Sequence, residues 1–285
     1  MFAQANQILY TSLGEVVISP KAYGFGPRVI SNIYENGVGV ITFDAPLTEL
    51  PNEMFFGQGE LLSVTLPDGL ECIGDMAFAA TSITEIVIPQ TVTAIKDFAF
   101  MDCNHLAKFS GKFASEDGRC LVVGDELRSI ATAGLISYTI PEGVAKVGMN
   151  LLSADTDIEE IVLPSTVKSV EMSAFENYDS IERIVLNEGL EEIGGFAFNS
   201  PNIVDMTIPS TVKYMGDVLF FHNFALERLI MLPTVPPEMD DRFMLWGEDD
   251  VMDRVIVVPQ HSVELYRNAD CWRKYKDIIV GNEEV

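Results

Sequence analysis

The chain is poor in the residues on which most protein chemistry depends. Its 285 residues hold four cysteines, three histidines and two tryptophans. Cys72, Cys103, Cys120 and Cys271 are scattered, with no Cys-x-x-Cys pair and no spacing suited to a short disulfide loop. They read as free thiols packed as small hydrophobes. His105, His222 and His261 stand singly and no His-Glu-x-x-His occurs, which removes the usual helical zinc pattern. There is no Gly-x-Ser-x-Gly elbow and no glycine-lysine phosphate loop. Gly24-x-Gly26, Gly37-x-Gly39 and Gly57-x-Gly59 each lack the third glycine of a dinucleotide loop and read as turns. Neither a cofactor nor a metal is expected, and the chain does not read as an enzyme.

Positive charge is scarce as well. Eighteen Lys and Arg face 43 Asp and Glu, a formal net charge of −25. Such a surface repels nucleic acid and anionic membranes. No apolar run reaches the roughly 18 residues that span a bilayer. The start, Met1-Phe2-Ala3-Gln4-Ala5-Asn6, has neither a basic n-region nor a long apolar stretch. That leaves a cytoplasmic protein, or one whose secretion signal has been removed. The acidic run Glu248-Asp249-Asp250 with Asp253 lacks the alternating spacing of a dedicated calcium loop, and reads as a solvated turn. Asp155 and Asp157 read the same way.

What the chain does have is repetition. A block of apolar-x-x-apolar-x-apolar-Pro, then apolar-x-x-apolar-Gly, then Ala-Phe recurs every 22–23 residues. The residue closing its first element falls at Pro67, Pro89, Lys112, Pro141, Pro164, Asn187, Pro209 and Leu232, with weaker marks at Ala45 and Pro259. A period of this size means a solenoid, because one unit is too small to bury its own apolar face and stacking does it instead. In Leu61 to Pro67, Val64 and Leu66 alternate with Ser63 and Thr65, the period of a strand with one buried face. Proline ends that strand, since it cannot donate a ladder hydrogen bond. One elongated body with parallel pairing between coils is expected, its Phe78, Phe100, Phe175 and Phe198 stacked as one buried ladder.

Three regions depart from the period. Residues 1–44 read as a β-hairpin cap. One hairpin joins Ile8 to Thr11 with Val16 to Ile18, and a second turns at Asn36-Gly37, whose residues supply positive φ. Residues 45–232 form the solenoid, with an inserted hairpin at about 112–131 turning at Gly124-Asp125. Residues 233–285 hold a last irregular repeat and a mixed cap, with a helix near Ser262 to Arg267 and Trp272 and Tyr275 sealing the open end.

Strand-Pro, Val-x-x-Ile-Gly and Ala-Phe at this spacing resemble the BspA-like leucine-rich repeats of bacterial surface proteins, over about residues 45–260. The resemblance extends to the insert from Ser110 to Leu121 and to the ending from Val257 to Trp272. It implies a right-handed leucine-rich-repeat solenoid in a secreted or lipid-anchored protein, with adhesion among the roles of relatives and no shared catalytic residues. Lys112 for proline and Leu151-Leu152 for Ala-Phe depart from the pattern and imply local remodelling.

Strand alternation sends two columns outward on the open face of the sheet. Two residues before each mark stand Thr65, Val87, Ser110, Thr139, Val162, Val185, Thr207, Ile230 and Val257. Four before stand Ser63, Glu85, Lys108, Ser137, Glu160, Arg183, Asp205, Arg228 and Val255. β-Branched residues and cross-strand charge pairs suit any strand. An apolar stripe rimmed by charge is also what a contact site looks like. The candidate binding residues are therefore Val162, Arg183, Val185, Asp205, Arg228 and Ile230, offered to a protein or polysaccharide. The expected protein is a monomeric, non-enzymatic extracellular or surface-anchored binding module. The alternative is an envelope spacer with no ligand of its own.

Overall fold

The computed structural model describes residues 3–16, 26–152, 155–199, 202–239, 245 and 254–282. The chain divides into two compact units, Met1–Gly134 with Asn150–Thr156, and Leu135–Met149 with Asp157–Val285. Each is a stretch of β-solenoid with its own stack of coils.

The first unit opens with an antiparallel sheet in the order Val29–Glu35, Val38–Phe43, Gln7–Ser12, Leu61–Thr65. The turn at Asn36 (φ 55°) and Gly37 (φ 83°) is of the hairpin-forming type that the sequence predicts. The first expected hairpin is different. Gln7–Ser12 pairs with Val38–Phe43 on one side and with the first repeat strand, Leu61–Thr65, on the other. Val16 lies in no strand, and Val17 and Ile18 fall outside the described residues. Both of its edges are taken by these distant strands, and Ile8, Leu9 and Tyr10 are buried in succession because both of its faces are covered too.

Beyond Leu61–Thr65 the pairing between coils is parallel. Glu85–Ile88 pairs with Lys108–Gly111, and the short strands Glu49–Leu50, Cys72–Ile73 and Ala94–Ile95 form a second sheet. The insert is an antiparallel hairpin of Cys120–Val123 and Glu126–Ile130. In the second unit, Ser137–Thr139, Glu160–Val162 and Arg183–Val185 make one parallel strip. Asp205–Ile208, Arg228–Met231, Val255–Pro259 and Ile279–Asn282 make another. Two-residue strands from Lys146–Val147 to Glu238–Met239 form its second sheet. The short helix Val263–Asn268 follows Pro259. Buried Tyr266 donates its hydroxyl to the Pro233 carbonyl at 2.8 Å, and Trp272 donates its indole N–H to that of Pro237 at 3.1 Å.

The third side of each coil is made by an unusual backbone. Glu53, Met76, Phe98, Asn150, Ser173, Phe196 and Val218 have φ between 45° and 58°. Each lies two residues before the buried Phe or, at Asn150, before Leu152. The left-handed turn lets alternate amides point along the stack. Phe55 N–H donates to Ala77, Phe78 to Ala99, Phe175 to Ala197 and Phe198 to Leu219, at 2.8–3.0 Å. The rings inside form two stacks, one in each unit, where one ladder is expected. Phe55, Phe78 and Phe100 lie at 5.4 and 5.3 Å between centroids, and Phe175, Phe198 and Phe220 at 6.2 and 5.7 Å. The coil with the inserted hairpin has no Ala-Phe, and the next coil carries Leu151 and Leu152 in its place, both buried; the first stack ends with Phe109 edge-on to Phe100 at 5.3 Å.

Where proline is replaced at a mark, the substitute makes a bond that proline could not. The Lys112 amide donates to the Ile88 carbonyl at 3.0 Å, and that of Leu232 to Ile208 at 3.0 Å. At Asn187 the side-chain amide donates to the Leu163 carbonyl.

Two stability measurements check this account. Phe198→Ala, which opens a cavity between two stacked rings, lowers the unfolding free energy in urea by about 3–5 kcal/mol. Ser173→Gly relieves a left-handed residue whose cost is roughly 1–2 kcal/mol, so it raises stability by up to about 1 kcal/mol, whereas Ser173→Val lowers it.

Candidate functional site

Alternation along the repeat strands fixes which side chains leave the core. Glu85–Ile88 and Asp205–Ile208 alternate strictly between exposed and buried residues, so the columns expected to face outward do so. Val162 and Val185 are paired in register on adjacent strands, with Glu160 opposite Arg183 beside them. Asp205 pairs with Arg228, and Thr207 with Ile230. The six candidates thus fall in two strips of the second unit: Val162, Arg183 and Val185 in one, Asp205, Arg228 and Ile230 in the other. Val162, Val185 and Ile230 are half-buried by their neighbours, while Arg183, Asp205 and Arg228 are exposed.

The charges pair along the sheet. Arg183 lies 3.5 Å from Glu160, and Arg228 lies 3.7 Å from Asp205. Both pairs are solvated, so they add at most about 1 kcal/mol each and act mainly to hold long side chains upright beside the apolar column. The column also runs further than the repeat motif reveals. Ile230 is in register with Val257, and Val257 with Val280, which is 43% exposed on the last strand. In the first unit Val87, two residues before its own mark, is 61% exposed and in register with Ser110. There Ile33 pairs with Val40, Val40 with Leu9, and Leu9 with Thr65, so the N-terminal strands carry the row outward. These residues escape a repeat-based reading because Ile33, Val40, Leu9 and Val280 lie outside the 22–23-residue period.

A concave feature lies on the two-residue strands of the second unit. It is a groove of about 760 Å³ lined by Ser210, Tyr214, Val235, Pro236 and Glu238, among others. The signal in the sequence is the loss of the motif at Pro233-Thr234-Val235-Pro236-Pro237, which leaves Val235 exposed. Beside it Lys213 pairs with Glu191 at 2.6 Å and holds that carboxyl below its usual range.

Among the described residues no three of His, Cys, Asp and Glu are placed to hold a metal ion. His105, His222 and His261 are all exposed, and His222 stacks between Phe221 and Phe224. The acidic residues Glu248, Asp249, Asp250 and Asp253 lie outside the described residues. Cys103 and Cys120 are buried, Cys72 and Cys271 half-buried, and all four are free thiols. Cys103 donates to the Phe78 carbonyl at 3.1 Å, and desolvation pushes its thiol up to about 11 against a weaker opposing effect of Thr81. Burial likewise pushes Tyr275 up to about 12 and raises Tyr266.

Coils of a strand, a turn, a second short strand and a buried ring, stacked in parallel in each unit, define a leucine-rich-repeat type of solenoid. The BspA type leucine rich repeat region matches in six copies, over residues 31–115 and 130–236. The chain therefore belongs to the BspA-type leucine-rich repeat family, and the gap between the matched spans falls on the inserted hairpin. No curated protein matches it significantly. Among solved structures, it is similar to a leucine-rich cell surface protein of Faecalibacterium prausnitzii, with 25% identity and a TM-score of 0.55 over 66% of this chain. The match covers 53% of that protein, so this chain spans about half its length. The pneumococcal vaccine antigen PcpA aligns with 14% identity and a TM-score of 0.46, over 83% of this chain and 77% of its own. A leucine-rich repeat protein of Eubacterium ventriosum aligns with 20% identity and a TM-score of 0.41, over 76% and 52%. No helix among the described residues is long and apolar enough to cross a membrane.

Two measurements follow. Arg183→Ala and Arg228→Ala each shift the unfolding free energy by less than about 1 kcal/mol, as solvated pairs should. The raised thiol of Cys103 contributes stability that is complete below its ordinary value of 9.0 and is lost as the pH climbs through about 11. At 1.36 kcal/mol per unit this is about 2–3 kcal/mol. On the alkaline side the urea midpoint therefore begins to fall above pH 9, and Cys103→Ala removes the first part of that fall.

Proposed function

We propose that this protein is a non-enzymatic binding module of the bacterial cell surface, contacting a protein segment or a polysaccharide through the open face of its repeat strands. One observation carries the reading: outward columns of the second unit place Val162, Val185 and Ile230 beside the charge pairs Glu160–Arg183 and Asp205–Arg228. β-Branched residues suit any strand, and a partner that dries the column also turns them into buried contacts flanked by hydrogen-bonding groups. An open sheet offers breadth and little depth, which suits an extended chain better than a small molecule.

The family supports a repeat protein that works by contact, and the similar Faecalibacterium prausnitzii protein is described as a cell surface protein. We place the present chain outside the cell on that support. In the same reading residues 1–44 and 233–285 close the two ends of the repeats, which explains the burial of Tyr266 and Trp272 against Pro233 and Pro237. Closure is needed because a bare terminal coil exposes its interior.

The test is a binding screen of the purified protein against immobilised polysaccharides and extracellular proteins, repeated with Val185→Lys/Ile230→Lys. The double variant is expected to keep its melting temperature within a few degrees and to lose at least about tenfold in affinity, the equivalent of 1.4 kcal/mol. Unchanged binding by that variant moves the site off these columns. A screen with no ligand at all favours the spacer.

A further inference from the structure

Coils of the second unit tuck one apolar side chain into the core three residues past the mark that closes the strand. Val144, Val167, Leu190 and Val212 hold this place, and all are buried. The second short strand of each coil then starts two residues later, at Lys146, Ser169, Glu192 and Tyr214. After Leu232 the count changes. Val235 stands at the third position yet is 69% exposed, and the second strand starts one residue late, at Glu238. The extra residue falls in Pro236-Pro237, whose rings fix φ at about −65° and remove two amide donors. Buried Pro237 has its carbonyl held by the Trp272 indole, and the Pro233 carbonyl is held by the Tyr266 hydroxyl. The loop is thus pinned at both ends with Val235 turned out, and the groove of about 760 Å³ runs between it and the preceding turn at Ser210.

Along one wall of this groove, strand pairing sets three outward side chains in a row. Glu192 is in register with Tyr214, and Tyr214 with Glu238. The next residues on the first two strands, Ile193 and Met215, are buried, so alternation turns the row outward. Rungs about 4.8 Å apart put a carboxylate on each side of the half-buried phenol ring. Other charges nearby are already engaged. Lys213 pairs with Glu191 at 2.6 Å, and Lys168 donates to the Gly189 carbonyl at 3.1 Å. Glu188 accepts from the amide and the hydroxyl of Ser210 at 3.0 and 2.8 Å. Among the described residues, neither Glu192 nor Glu238 has a cation or a hydrogen-bond donor on its carboxyl. They are the acidic residues of the groove's described lining, and both are left for a partner.

We propose that the groove binds an arginine or lysine side chain of an extended basic protein segment, its cation against the Tyr214 ring and between the carboxylates of Glu192 and Glu238. An aromatic face attracts a cation electrostatically, and carboxylates on either side add charge-assisted hydrogen bonds. Val235 and Pro236 supply an apolar wall for the methylene stem, which such side chains bury while the charged head stays near water. The stem separates this ligand from an amino sugar, whose ammonium stands directly on its ring and would leave the wall uncovered. A net charge of −25 draws in a basic partner and repels an acidic one. The pinned loop presents the wall already formed, so little ordering opposes binding. This site is separate from the repeat-strand columns, and either can fail without the other.

Titration calorimetry at 0.15 M salt, where attraction beyond about 8 Å is screened, tests the proposal. The probes are a capped peptide of glycine and serine carrying three arginines, and the same peptide with citrulline, the neutral isostere, at those positions. The parent chain is expected to bind the arginine peptide at least about tenfold more tightly, and Glu192→Gln/Glu238→Gln to lose that advantage. Tyr214→Leu should weaken binding roughly two- to fivefold, as for an exposed contact of a cation with a ring. Glu71→Gln/Glu227→Gln removes the same charge elsewhere on the surface and should change affinity by less than about twofold. All three variants are expected to melt within a few degrees of the parent. Equal affinity for the two peptides, or an equal loss in both glutamine pairs, reduces the attraction to net charge and overturns the proposal. Full affinity in Tyr214→Leu removes the ring from the site and overturns it too. A glucosamine oligomer that needs Glu192 and Glu238 for binding, where the arginine peptide does not bind, overturns the protein segment and assigns the groove to a polysaccharide.

Discussion

A coil of 22 or 23 residues can turn its phenylalanine and isoleucines inward only if its backbone amides find partners in the next coil. Strand pairing meets that need on two sides of the coil. On the third side the chain meets it by setting one residue per coil, from Glu53 to Val218, into left-handed backbone so that amides such as those of Phe78 and Phe198 reach the next carbonyl. The local cost of order 1–2 kcal/mol at each such residue is offset by a buried hydrogen bond and by the stacked ring it positions. Without that ladder the Phe stacks lose their spacing and the repeat strands their register.

The outward face inherits its regularity from the same constraint. Once the register of one pair of coils is set, Glu160 must meet Arg183 and Val162 must meet Val185, because every coil has nearly the same length. A solenoid thereby converts a sequence period into straight columns of side chains, which a globular fold would have to assemble from unrelated loops. The polar and apolar columns are separated by two residues of strand, so exchanging one partner class for another requires substitution at the column and no change in the core.

Much of this was legible in the chain itself. The prolines at Pro67, Pro89, Pro141, Pro164 and Pro209 mark strand ends because proline cannot donate, and Asn36-Gly37 names its own turn. What escaped has identifiable causes. Met76, Phe98, Ser173 and Val218 share no side-chain chemistry, so nothing announces that they share a positive φ. Gln7–Ser12 looks like half of a local hairpin, but both its partners are distant strands, one of them reached from Thr11 at Ser63, 52 residues away. The outward row lost Val280 and Ile33 to view because both lie beyond the repeating motif.

One small pattern in the turns has a wider consequence. Gly69, Gly143 and Gly189 follow an acidic residue after the strand, and each amide donates to a threonine one coil later: Thr91, Thr166 and Thr211. Each of those hydroxyls donates in turn to the carbonyl just past the glycine, at Leu70, Val144 and Leu190. In these three places a coil with a glycine turn is followed by one that carries threonine, and the two kinds clasp in one order only. The clasping unit of such an array is then a pair of coils. Removing a glycine coil would set threonine against threonine, and removing a threonine coil glycine against glycine, whereas removing or adding such a pair together leaves the remaining clasps intact.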